Sequence, residues 1–230
     1  MTPIRRILLA TALATAAAAA SAVPVSLVKL TGVTGGALAA TAVFRADLGT
    51  VGLGTIQSVG ITDASGGLGG SPGQFSGFDL DAIKLSTTLC NDAACAAGAV
   101  GLSLFDFVTG TLFAPGGQRP PADPALFGTG AGGTTVDDAV ATLGAFDGES
   151  TTLIPGAFGF LSMGDGGAIT FNLSAAASTL GLYLYIGEVG DNGEVAASSI
   201  VVNPNRVPEP SSLALVALAL LAGGAVRRRT

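Results

Sequence analysis

The stretch AITFNLSAAASTLGLYLYIGEVGDNGEVAASSIVV, Ala168 to Val202, carries the clearest structural pattern in the chain. Ile169, Phe171 and Leu173 alternate with Thr170 and Asn172, so on a strand the apolar three share one face and the polar two the other. Leu182, Leu184 and Ile186 alternate in the same way with Tyr183 and Tyr185. Two dipeptides punctuate the region. Asp165-Gly166 separates runs at 157–163 and 168–174, and Asn192-Gly193 separates runs at 182–188 and 194–202. Both tolerate the positive φ of a type I′ turn, so each predicts a hairpin.

Working toward the amino end, runs at 26–33, 41–48, 55–62, 75–86 and 100–109 also read as strands. Short strands between glycine-rich turns predict a mainly β fold, an antiparallel β-sandwich of jelly-roll-like type. APGGQRPPADPALFGTGAGGTT, residues 114–135, holds too much proline and glycine for either regular element and predicts a long surface loop. Residues 134–146 predict one helix, with Thr135 as its cap and Asp137 and Asp138 in its first turn. Tyr183 and Tyr185 are the only tyrosines and tryptophan is absent, so stacking platforms for sugars are scarce.

The chain has no histidine, which removes the commonest general base, the Ser-His-Asp and Cys-His arrangements, and the usual transition-metal ligand. That argues against an enzyme. Between Val23 and Val207, five basic residues face fifteen acidic ones, a net of −10. Such a domain repels phosphate backbones, so no nucleic-acid partner is expected.

The two ends read differently from the middle. MTPIRRILLATALATAAAAASA, residues 1–22, has Arg5 and Arg6, then an uncharged stretch, then Ala20-Ser21-Ala22. This is the pattern of a signal peptide cut by signal peptidase before Val23, with a short helical h-region. At the other end, Leu213 to Val226 is an apolar run of 14 residues. As a helix it covers about 21 Å at ~1.5 Å per residue, short of a ~30 Å hydrocarbon core. Including Ser211 and Ser212, and letting arginine stems snorkel, makes 211–226 a candidate transmembrane helix. Arg227, Arg228 and Arg229 would stop transfer and stay cytoplasmic.

This tail, VPEPSSLALVALALLAGGAVRRRT, resembles the PEP-CTERM sorting signal. Val207, Pro208, Glu209 and Pro210 match its motif, followed in order by small residues, an apolar helix with Gly223-Gly224, and terminal arginines. The resemblance implies processing near the motif by an exosortase, a membrane cysteine transpeptidase, in a bacterium that makes exopolysaccharide. Two prolines would hold the strip extended in front of the membrane. The expected organisation is a signal peptide at 1–22, an ectodomain at 23–205 and a sorting signal at 207–230. The precursor would sit in the inner membrane with a cytoplasmic carboxyl end, and the mature form at the cell surface or beyond it. GQFSGFDLDAIKLS and GLYLYIGEVGDNGE, from Gly73 and Gly181, resemble ectodomains joined to this signal, a likeness that implies no activity.

Within the ectodomain, Cys90 and Cys95 are the only cysteines; in an exported chain they predict a disulfide pinning a turn. Asp79 and Asp81 share a strand face, and Glu188, Asp191 and Glu194 surround the Asn192-Gly193 turn. These five are the candidate ligands for a structural calcium ion; the plainer reading is solvated charges guarding strand edges. Gly128, Gly130 and Gly133 satisfy G-x-G-x-x-G without the flanking strand a dinucleotide site needs. Asn172-Leu173-Ser174 is a formal glycosylation sequon inside a strand.

The function these observations support is a structural surface or matrix protein, associated with exopolysaccharide or a biofilm. The alternatives are a calcium-supported carbohydrate-binding module and, with less support, a glycoside hydrolase using paired carboxylates.

Overall fold

The structure is a computed structural model, and it describes residues 22–150 and 159–208. The signal segment up to Ser21 and the tail from Glu209, including Pro210, the apolar run and Arg227 to Arg229, lie outside the described residues. So does Ala20, whereas Ala22 is exposed and precedes the first strand.

Among the described residues ten strands form two antiparallel sheets. In chain order they are β1 Val23–Pro24, β2 Val28–Thr34, β3 Thr41–Asp47, β4 Thr55–Thr62, β5 Asp79–Ser86, β6 Thr111–Ala114, β7 Leu161–Ser162, β8 Ala168–Ser178, β9 Tyr183–Val189 and β10 Ser199–Asn203. The first sheet runs β1-β10-β4-β8-β6 and the second β2-β3-β9-β5-β7. One core takes side chains from both. Ile56, Val59, Ile61, Ile169, Phe171 and Val202 of the first sheet pack with Phe44, Leu80, Ile83, Leu85, Leu184 and Ile186 of the second. The alternation at 169–173 and 182–186 therefore identifies the core face correctly. Truncating a buried aromatic such as Phe171 would cost about 3–5 kcal/mol.

The two hairpins do not form. β7 lies in the second sheet and β8 in the first, and β9 and β10 are likewise in different sheets. From β4 onward each strand lies in the sheet opposite its predecessor; among the described residues β2 and β3 are the only consecutive strands that pair. The glycines do take positive φ, +75° at Gly166 and +93° at Gly193. Asp165 and Asn192 do not, so neither dipeptide has the two left-handed residues of a type I′ turn. The turn chemistry demands a reversal of the chain, and long-range burial chooses the sheet that the chain returns to.

Two further elements differ from the sequence reading. Residues 100–109 are not a strand, because the carboxylate of Asp106 caps its own turn, accepting from Val108 N at 3.0 Å and Thr109 N at 2.8 Å. Its apolar residues still pack: Phe105 and Phe107 meet the Phe171 ring edge-on at 5.7 and 6.0 Å. The helix expected over 134–146 shrinks to a single turn, Asp138–Ala141. Asp137 rather than Thr135 caps it, and Thr142 ends it in the left-handed region at φ +47°. The 114–135 segment is a loop beyond β6, as its composition predicts, but Leu126 and Phe127 within it are buried.

The second sheet is covered on its outer face too. α1, Ala93–Gly98, lies there; it starts inside the loop that the Cys90–Cys95 disulfide closes, with Cα atoms 5.5 Å apart, and runs on past it. A loop this small contributes about 2 kcal/mol in the chain-entropy picture. Asp92 caps α1 by accepting from Cys95 N at 2.7 Å. At its other end Lys84 donates to the carbonyls of Ala96, Ala97 and Ala99 at 2.9, 2.8 and 3.1 Å, a cation where the helix dipole is negative. Tyr185 is fully buried beneath this cover, its hydroxyl accepting from Cys90 N and donating to Thr88 O. It is structural and offers no stacking face.

Candidate functional site

The five acidic residues grouped by sequence separate into three places. The β5–β9 register sets Leu80 opposite Glu188, so the start of β5 lies beside the end of β9. Asp79 and Glu188 thereby come close to Glu194, which opens the one-turn helix Glu194–Ala197 after the Asn192-Gly193 turn. Glu188 and Glu194 are fully buried and Asp79 is 7% exposed. They are not solvated edge charges. A strand edge presents charge to water only where nothing covers it, and here the chain folds back over the strand ends.

Backbone and side-chain donors satisfy part of this cluster. Asp79 Oδ1 accepts from Ser162 Oγ at 2.5 Å, and Asp79 N donates to Glu194 Oε2 at 3.1 Å. Glu188 Oε1 accepts from Asn192 N at 3.0 Å, while Asn192 Oδ1 accepts from Glu194 N at 3.2 Å. Glu188 Oε2 and Glu194 Oε1 are buried without a hydrogen-bond partner among the described residues. Arg119 enters from the long loop: Nη1 donates to Gly69 O at 2.7 Å, and Nε lies 3.4 Å from Asp165 Oδ1. Sequence reading missed Arg119 and Asn192. Arg119 is one of five basic residues in a domain of fifteen acidic ones, a scarcity that could have singled it out.

Burial governs the electrostatics. It pushes the Glu188 and Glu194 carboxyls up to about 7, with the charge of Asp191 adding at Glu188 and that of Glu188 adding at Glu194. Asp79 is raised well above the carboxylate range, first by burial and then by Glu194. A cavity of about 450 Å³, lined in part by Gly70, Phe75, Asp79, Phe160 and Asn192, adjoins the cluster.

Asp191 sits at the rim, exposed and paired with Lys29. Asp81 is elsewhere: its Oδ2 accepts from Thr41 Oγ1 at 2.6 Å and its Oδ1 from Gly148 N at 2.8 Å. Burial raises it to about 8. The bulge in the β5–β9 pairing between Leu80 and Ile83 breaks the simple alternation that would have set Asp79 and Asp81 side by side. Among the described residues no group of three or more His, Cys, Asp or Glu is arranged to hold a metal ion.

A second region is the exit of the chain toward the tail. After β10, Pro204 has no N–H to continue the ladder, and the chain leaves the strand. Gln57 Nε2 donates to Pro204 O and Ser58 Oγ to Asn205 O, both at 3.0 Å. Asn172 Nδ2 then donates to Val207 O at 2.9 Å, and Val207 N donates to Asn172 Oδ1 at 2.8 Å. Asn172, expected on the polar face of its strand, is only 5% exposed because this segment lies on it. Among the described residues no helix is long and apolar enough to cross a membrane.

A protein-family profile described as the PEP-CTERM protein-sorting motif matches residues 206–229. Neither the curated proteins nor the solved structures compared with the chain gave a match.

Proposed function

We propose that this chain, which carries a PEP-CTERM sorting motif, is a non-enzymatic cell-surface or matrix protein, associated with exopolysaccharide or a biofilm. The observation that carries the reading is the motif itself, which implies export, a membrane-anchored precursor and processing by an exosortase. Signal peptidase is the second processing partner. The absence of histidine from the sequence supports a structural role over a hydrolytic one.

The strand orders support a jelly-roll-like sandwich for the ectodomain. β1-β10-β4-β8 faces β3-β9-β5-β7, with β6 and β2 added at the edges. β1 begins at Val23, the residue expected after signal cleavage. Intact-mass measurement of protein recovered outside the cell tests the reading. The expected mass starts at Val23 and lacks Leu213 to Thr230. A secreted chain that retains those residues would overturn the sorting assignment.

The second reading is a calcium-supported carbohydrate-binding module, and the unpartnered oxygens of Glu188 and Glu194 are what favour it. Melting curves at pH 7.5 with and without calcium separate the two. A site filled at a hundred times its Kd would add about 2.7 kcal/mol, a rise in Tm of roughly 5–10 °C reversed by chelator. The structural reading expects no shift. Retention on exopolysaccharide that chelator abolishes would likewise favour the module.

A further inference from the structure

We infer that Asn172 is a positioning residue for tail processing, which sets the amino-side limit of the strip open to the sorting enzyme. The inference rests on the exosortase reading above and adds to it a feature of the folded domain. Ser58 and Asn172 are directly opposed across the β4–β8 pair, and Ser58 also faces Asn203 across β4 and β10. Their neighbours Val59 and Phe171 belong to the core, so Ser58 and Asn172 lie on the outer face of the sheet. The chain leaving β10 is bonded first at β4 and then at β8. It thus crosses the outside of the sheet and is held at its last point by the side chain of Asn172.

What this hold does follows from which atoms it uses. A peptidase commonly binds its substrate as an added strand, through the N–H and C=O groups of the extended chain. At Val207 both groups are occupied by one side-chain amide. The next residue, Pro208, has no N–H to offer. With the carbonyls of Pro204 and Asn205 also bonded to the sheet, the segment is pinned on both sides of Arg206 while the domain is folded, and the unpinned strip begins at Pro208. Five residues lie between Val207 and Leu213, where the apolar run begins, so the enzyme meets its motif between a folded wall and the membrane.

The test is proteolysis of the detergent-solubilised full-length precursor with a protease of broad specificity, the end of the trimmed product being read by intact mass. In the wild type, trimming from the carboxyl side should stop beyond Val207. In Asn172→Ala the end should move back to between Asn203 and Val207, with cleavage there roughly tenfold faster. Val207→Pro, which removes the N–H from the tail side and leaves β8 untouched, should move it in the same direction. This second variant keeps the inference testable if Asn172→Ala does not fold. An end that stays put in both variants, or a wild type trimmed past Val207, would overturn the inference.

In cells the mature carboxyl terminus should lie beyond Val207 in the wild type and become heterogeneous in Asn172→Ala. If the tail is removed but both proteins end at the same residue, the inference fails and the sorting reading stands. If the exported wild type keeps Leu213 to Thr230, the sorting reading itself fails.

Discussion

Replacing Arg227, Arg228 and Arg229 together by asparagine should release the precursor from its membrane position. Each arginine costs about 2.5–3.5 kcal/mol at the centre of a bilayer, so three in sequence oppose translocation by roughly 8–10 kcal/mol. The apolar run before them has 14 residues and is marginal for spanning, which leaves the arginines as the feature expected to halt export. The expected result on fractionation is unprocessed chain in the soluble or loosely bound fraction. Glu209→Gln supplies the contrast. It leaves apolar length and terminal charge unchanged, so the chain should insert normally and accumulate as membrane-bound precursor. Two variants that both behave as wild type would show that the tail is an ordinary hydrophobic end.

The second large effect is a fall in stability as pH rises from 5 to 8. Glu188 and Glu194 have carboxyls raised in the folded state to about 7, and Asp81 to about 8, whereas in the unfolded chain they titrate near 4. Between these limits the folded protein holds more protons than the unfolded chain, so stability decreases with pH. The contribution is fully present below about pH 4 and is lost as pH passes through the folded values. Each carboxyl contributes about 1.4 kcal/mol for every pH unit that separates its folded and unfolded titrations. Coupling between Glu188 and Glu194 and their partial solvation reduce the two glutamate contributions, so the expected loss is several kcal/mol. That corresponds to roughly 10 °C in Tm for a domain of this size. Glu188→Gln keeps an oxygen to accept from Asn192 N while removing the charge, so it should flatten the slope and raise Tm at pH 8. A melting temperature independent of pH over this range would show that the carboxylates are hydrated and the cluster is open.

Charge and burial explain why the sequence was informative about one part of this site and silent about another. Glu188, Asp191 and Glu194 were recognisable as a group because only five residues lie between the outer two, and a turn brings them together locally. Asp79 joins them only through the β5–β9 register. Asp81, two residues away in sequence, is taken by Thr41 and Gly148 on the far side of a bulge. Arg119 arrives from a loop with no periodicity at all.

Properties that depend on neighbours in the chain were determined by the sequence alone. These are the strand periodicity at 169–173 and 182–186, the loop at 114–135, the five-residue spacing that the Cys90–Cys95 disulfide closes, and the order of motif, apolar run and arginines in the tail. Each follows from the period of a backbone, the φ of glycine and proline, or the cost of charge in hydrocarbon. Which strands pair, and which polar groups are buried, was decided only by the tertiary structure. Asp165-Gly166 and Asn192-Gly193 turn the chain but do not choose its partner strand. The same holds for Asn172, whose amide finds Val207 thirty-five residues away. Such pairings depend on how apolar faces from distant segments are covered together, a condition that no local pattern of residues expresses.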